Sequence, residues 1–310
     1  MVGLSGEVAG DGALKKLVLA ILLLLVVACW GASFLIVKRA TEEFSVLGFL
    51  GLRFTIAAVG VAPFAWPHLH RRTLGVGLAI GLVLAVSYLF QTYGLQTTTS
   101  TNSGLITGLF VVFVPWMNRW LFGVRTGFWA WTGIAVSVGG LALLTGTAST
   151  LRVGDLFTLF CAACFGLQVT LLDHYAPKHD AAGLAFGQLA GVAVICLIGW
   201  YAWEPASVVL PGRDIWKAII VTGVICSGVA FFVQTLTQRH LTAIETALII
   251  MTEPIFAAIV GRYWGQDRLS ETQWMGAGLI LVAMALVSLQ PLLERLEARR
   301  RETATDSSRP

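Results

Sequence analysis

IETALIIMTEPIFAAIVGRYWG (244–265) and, earlier in the chain, LITGLFVVFVPWMNRWLFG (105–123) are the stretches on which the fold turns. With Pro254 laid on Pro115, each reads as a polar turn, an apolar run, a proline inside the run and a Trp or Tyr-Trp near the exit. An apolar run of roughly 20 residues is what a helix needs to cross a hydrocarbon layer about 30 Å thick. A proline inside such a span removes a backbone donor and frees a carbonyl. That is tolerated only where the loosened backbone faces protein or a wet cavity. Two spans of this kind in one chain point to a repeated unit with a hollow beside it.

The flanking segments repeat in the same order. WAWTGIAVSVGGLALL (129–144) matches TQWMGAGLILVAMALV (272–287), with Trp131 on Trp274 and Gly133 on Gly276. Upstream, VACWGASFLIVK (27–38) matches AACFGLQVTLLD (162–173), with Trp30 on Phe165 and Gly31 on Gly166. Apolar runs bounded by charge, Pro or Gly fall near 14–37, 45–67, 74–95, 102–122, 126–146, 154–175, 181–203, 214–236, 241–262 and 271–290. The chain is therefore expected to be an all-α polytopic membrane protein of ten transmembrane helices, five duplicated as five. Five is odd, so the second copy enters the bilayer from the opposite side. The units are 14–146 and 154–290, inverted with respect to each other, and 291–310 is a solvated tail.

Composition agrees and excludes the alternatives. Of the 310 residues 56% are hydrophobic and only 12% charged, with mean hydropathy +0.79, where a soluble domain carries about 25% charge. A net charge of +4 is too small and scattered for a nucleic-acid partner. The five cysteines all sit in apolar runs, which reads as packing rather than a disulfide framework; Cys161 and Cys164 have no second pair to complete a metal site. Thirteen of the 21 Lys and Arg fall on the side of the two termini and seven on the other. By the positive-inside rule both termini are cytoplasmic.

Certain of these segments resemble a known family. The W-G at Trp30-Gly31, the arginine in FLGLRFTIAA (49–58), the polar TTTSTNSGLI (97–106) and above all TAIETALIIMTEPIFAAIVGRYWGQDRLSETQWMGAGLILVAMAL (242–286) are similar to the drug/metabolite transporter superfamily, EamA branch. The resemblance runs from about Leu14 to Gln290. It implies ten helices in two EamA repeats, a multi-pass place in a cell membrane, a bacterial inner membrane in particular, and export or exchange of small metabolites, often amino acids. The chain departs where the family often has Gly-Glu after the fourth and ninth helices: here stand Gly123-Val124 and Gly265-Gln266-Asp267.

Candidate site residues are the groups that cost most to bury. A charged side chain at bilayer depth costs at least about 2.5–3.5 kcal/mol on insertion scales. Glu253, directly before Pro254, and Arg53 sit at similar depth by helical rise. They are expected to serve gating or coupling, or to neutralise one another, with Glu253 open to a protonation role. Glu245, one turn into the ninth span, reads as a cytoplasmic mouth residue or the entry to a proton relay. Trp30, Tyr88, Gln91, Asn102, Gln168 and Gln234 join Glu253 as expected substrate-binding residues, since a small-molecule site needs an apolar hollow with a few fixed hydrogen bonders. Gly183, Gly187 and Gly191, and Gly104 with Gly108, read as packing faces.

The expected function is a secondary transporter, an exporter of small organic metabolites such as amino acids, working by alternating access within the lipid bilayer. No cofactor, metal or nucleic-acid partner is expected. A nucleotide-sugar exchanger of the same superfamily and a polytopic membrane enzyme are the rivals. The first would need several basic groups for its phosphates; against the second, the chain has no H-E-x-x-H, G-x-S-x-G or P-loop motif.

Overall fold

The computed structural model describes residues 4–98, 100–145, 152–204, 210–264 and 270–286, with side chains from Leu14 onward except at 100–102, 105, 144, 145, 258, 261, 262 and 264. Regular structure among them is helical: α1 (Leu4–Glu43), α2 (Val46–Ala65), α3 (Arg71–Thr97), α4 (Ser100–Gly108), α5 (Phe110–Phe122), α6 (Phe128–Thr145), α7 (Val153–Tyr175), α8 (Ala181–Trp203), α9 (Arg213–Gly223), α10 (Ala230–Thr237), α11 (Ala243–Ile250), α12 (Glu253–Trp264) and α13 (Glu271–Leu286). Among the described residues six stretches are long and apolar enough to cross a membrane: Leu14–Glu43, Val46–His68, Arg71–Thr97, Val153–Lys178, Ala181–Trp203 and Arg213–Thr237. Ile106–Phe122, Phe128–Leu143 and Glu271–Leu286 are shorter apolar helices. The outer surface carries Val59, Phe64, Trp116, Trp120 and Ile198, all exposed, while Arg53, Gln168, Gln188 and Gln234 are buried. That distribution suits a chain whose surroundings are lipid.

The helix ends follow local chemistry. Ser45 caps α2 by accepting from Gly48 N at 2.9 Å, and Asp180 caps α8 through Gly183 N at 2.9 Å. Gly123 ends α5 at φ +67°, where its N–H reaches Arg119 and Asn118 carbonyls, a left-handed position that glycine takes without a Cβ penalty. The first helix is longer than the expected 14–37, because it begins at Leu4 and runs on past the apolar stretch to Glu43.

Three expected spans are not uniform α-helix. Between α4 and α5 the backbone tightens, Leu109 N donating to Ile106 O and Val112 N to Leu109 O. Between α11 and α12, Thr252 N donates to Ile249 O and Ile255 N to Thr252 O. Pro254, at the second residue of α12, has no N–H for the carbonyl of Ile250, so the helix restarts there. Between α9 and α10 the chain makes a π-helical turn, Val224–Val229, which inserts an extra residue and leaves carbonyls unpaired along the helix.

Glycines set the tightest approaches. An added Cβ on Gly187 would lie 2.8 Å from Gly77 Cα and 3.2 Å from Leu74 O, and one on Gly191 would lie 3.2 Å from Gly81 Cα. This expected packing face therefore lies on α3. Gly108 meets Leu141, but Gly104 has open space, so the fourth span packs on one of its two glycines. Gly187→Val is expected to destabilise by about 1–3 kcal/mol through overpacking, read as a lower thermal unfolding midpoint in detergent. Gly75→Val, with nothing within 4 Å, leaves it unchanged.

Two further glycines make matching contacts. A Cβ on Gly31 would meet Glu253 O, Phe256 Cβ and Ala257 N at 2.7–2.9 Å; one on Gly166 would meet Phe110 O, Phe113 Cβ and Val114 N at 3.0–3.6 Å. Each glycine thus presses on residues 1, 4 and 5 of a helix that starts after a break.

Candidate functional site

Side chains from α1, α2, α3, α4, α5, α7, α10, α11 and α12 enclose a cavity of about 70 Å³. A water needs about 10–15 Å³ of such space, so it holds several waters or one compact solute. Seven of the nine residues singled out from sequence line it: Trp30, Arg53, Tyr88, Gln91, Gln168, Gln234 and Glu253. Asn102's side chain lies outside the described residues. Glu245 is elsewhere, in a capping box at the start of α11, where its Oε2 accepts from Thr242 N at 2.7 Å and from Thr242 Oγ1 at 3.0 Å. At that same end His240 is held below its ordinary value by burial and then by the charges of Lys15, Arg239 and Lys16.

The π turn positions two of the cavity's side chains. Trp30 Nε1 donates to the Cys226 carbonyl at 2.6 Å, and Arg53 Nε donates to Ser227 Oγ at 2.8 Å. Both acceptors belong to the π turn, so its irregular backbone holds an indole from α1 and a guanidinium from α2. Arg53 Cζ also lies 5.4 Å from the ring centroids of Phe54 and Tyr88, a cation–π arrangement worth about 0.5–2 kcal/mol where water is excluded. Around it the rings of Trp30, Phe54, Tyr88, Phe165 and Phe231 stand edge-on or tilted, with centroids 4.9–6.2 Å apart.

Arg53 and Glu253 share the cavity without pairing. Among the described residues the ion pair within 4.0 Å is Lys217–Asp214, on the exposed edge of α9. Glu253 is half-buried, opens α12 and lines the cavity. A helix N-terminus favours negative charge, yet no side chain among the described residues hydrogen-bonds to its carboxylate. The site thus holds one cationic and one acidic group on its walls, more than 4.0 Å apart.

Amides close the cavity on the side of α10's C-terminus. Gln168 Nε2 donates to Gln188 Oε1 at 2.9 Å, Gln234 Nε2 to Gln168 Oε1 and to Gln238 Oε1 at 3.2 Å each, and Gln238 Nε2 to Val169 O at 2.8 Å. Gln188 Nε2 reaches Thr235 Oγ1 at 3.3 Å and Leu184 O at 3.4 Å. The sequence reading missed Gln188, Cys226, Ser227 and Phe231. A glutamine in the apolar run of α8 was a signal for the first, and the Ser-Gly pair inside an apolar run for the π turn.

The EamA-like transporter family model matches residues 17–146 and again 152–289. An uncharacterized transporter of Archaeoglobus fulgidus is 30% identical over 286 residues, covering 91% of this chain and 89% of its own. The uncharacterized inner membrane transporter YedA of Escherichia coli is 24% identical over 275 residues, covering 84% of this chain and 87% of its own. One crystal structure superposes with TM-score 0.73 at 17% identity, over 90% of this chain and 98% of its own, a likeness of fold.

Proposed function

From the chain's membership of the EamA-like transporter family, we propose that it is a secondary transporter, an exporter, that carries small organic metabolites, amino acids among them, by alternating access to the cavity. The observation that carries this reading is a buried arginine and a half-buried carboxylate on the walls of one hollow, with no ion pair between them. Inside a membrane protein such groups mark a solute or ion path. Arg53 suits a solute carboxylate; Glu253 suits a proton or a solute ammonium, one replacing the other as the solute leaves.

The arrangement that allows this is ten crossings in two inverted fives. α4 with α5 forms one crossing, α9 with α10 another, and α11 with α12 a third. Three observations support it: the family model matches twice, Gly31 and Gly166 press on corresponding residues of α12 and α5, and basic residues favour the side of the termini. If Gly31 and Gly166 are taken as equivalent, Phe110 pairs with Glu253, one helical turn from the pairing that the prolines give. That register has the same offset as Trp131 with Trp274. Halves related by an axis in the membrane plane alternate access by rocking about a midplane site.

A nucleotide-sugar substrate is less well served, since Arg53 is the one Lys or Arg among the cavity-lining residues and a diphosphate calls for several. The testing experiment is efflux from proteoliposomes loaded with a panel of amino acids and nucleotide sugars, with and without a pH gradient. Amino-acid efflux that responds to the gradient is the expected result. Movement of nucleotide sugars alone overturns the substrate reading, and no movement of any solute overturns transport.

A further inference from the structure

The amide chain beside the cavity has a direction. Its far ends are carbonyls, Val169 O at Gln238 and Leu184 O at Gln188, and a main-chain carbonyl can only accept. Thr235 Oγ1 is committed as donor to Phe231 O at 2.6 Å, so it too can only accept from Gln188. These fixed acceptors turn the Nε2 of Gln238 and of Gln188 outward, leaving their Oε1 atoms to receive from Gln234 and Gln168. Gln168 then has only its Oε1 left for Gln234. Every amide is oriented by its neighbour, and Gln234 is the meeting point: its Nε2 serves two acceptors, and its own Oε1 is buried with no donor among the described residues.

An unpaired buried acceptor bears its desolvation cost with nothing to offset it. Gln234 lines the cavity. Glu253 is on the same walls with no hydrogen-bonding side chain. These groups lack donors, while the guanidinium of Arg53 is the cavity's one cationic donor.

We propose that the cavity holds its solute by a donor-bearing cationic head, a primary or secondary ammonium, at Gln234 Oε1 and Glu253, and that Gln188 and Gln238 are the positioning residues that fix this polarity from the two ends of the chain. Both are buried and neither is among the cavity-lining residues. Gln188 acts through Gln168, and Gln238 directly on Gln234. The inference rests on the transport reading above and narrows it: a carboxylate on the solute is an addition, and an ammonium a requirement.

The test is ligand protection against thermal unfolding of the purified full chain, using matched triads. These are leucine, 4-methylpentanoate and 3-methylbutylamine; phenylalanine, 3-phenylpropanoate and 2-phenylethylamine; and alanine, propanoate and ethylamine. In the triad that binds, the amino acid and the amine are expected to protect at concentrations about tenfold below the desamino acid, the worth of a hydrogen bond to a charged group. The double variant Q188M/Q238M is expected to erase that preference while the protein stays folded, and Q188M alone, which leaves Gln234 held by Gln238, to retain it. Should the double variant fail to fold, Gln234→Met, which removes the acceptor itself, carries the same expectation.

A desamino acid that protects as well as its amine overturns the proposal, and so does Q188M/Q238M or Gln234→Met with undiminished preference. If no member of any triad protects while efflux of other solutes proceeds, the polarity proposal falls and transport stands. If nothing is transported, both fall.

Discussion

Vesicles containing the Glu253→Gln protein are expected to exchange solute for solute but to stop responding to a pH gradient. A one-unit gradient is worth about 1.4 kcal/mol per proton, or roughly tenfold in accumulation for one proton per solute. The native protein should reach that ratio and the variant a ratio near one. The reason lies in the site: among the cavity-lining residues Glu253 is the one Asp or Glu, and it forms no ion pair with Arg53, so its proton is available for exchange. Glutamine keeps the shape and removes the titration. An unchanged accumulation ratio in the variant would take proton coupling away from Glu253 altogether.

Gly31→Ala is expected to have the next largest effect. The new Cβ would stand 2.7 Å from Glu253 O, 2.8 Å from Ala257 N and 2.9 Å from Phe256 Cβ. Two of those atoms are backbone and have no rotamer to yield. Overpacking of this kind costs about 1–3 kcal/mol, and here it acts on the turn that carries Glu253. Lower thermal stability and slower transport should therefore appear together. Gly166→Ala, whose nearest atoms are at 3.0 and 3.1 Å, should be milder, and Gly60→Ala, with nothing within 4 Å, neutral. Equal stability across the three variants would refute the account of α1 against α12.

Much of the site was legible because polar groups stand out in apolar runs. Arg53, Gln168, Gln234 and Glu253 each interrupt a hydrophobic stretch, and at that depth a polar side chain must face protein or water. What the pattern could not give is partnership. Gln188 meets Thr235 across 47 residues, and its neighbours Gly187 and Gly191 advertise packing, not recognition. Arg53 and Glu253 were matched by depth, a coordinate along the bilayer normal, but depth does not fix azimuth; the guanidinium turned to Ser227 instead. Glu245 drew notice for its charge, yet Thr242 three residues earlier makes it an N-terminal cap. The breaks at Leu109 and at Met251–Thr252 were hinted at by Pro115 and Pro254, but the glycine contacts set the registration of those helices, and they are tertiary.

The π turn has a consequence for which changes of length the chain can bear. An extra residue in a helix rotates everything after it by about 100°. Val224–Val229 hands Cys226 O to Trp30 and Ser227 to Arg53, and downstream of it Gln234 and Gln238 face α7. Deleting any one of those six residues would let an ordinary α-helix form. It would also swing the downstream amides away from Gln168 and leave the indole N–H without its acceptor. A single-codon loss there should be far more damaging than most substitutions at the same positions.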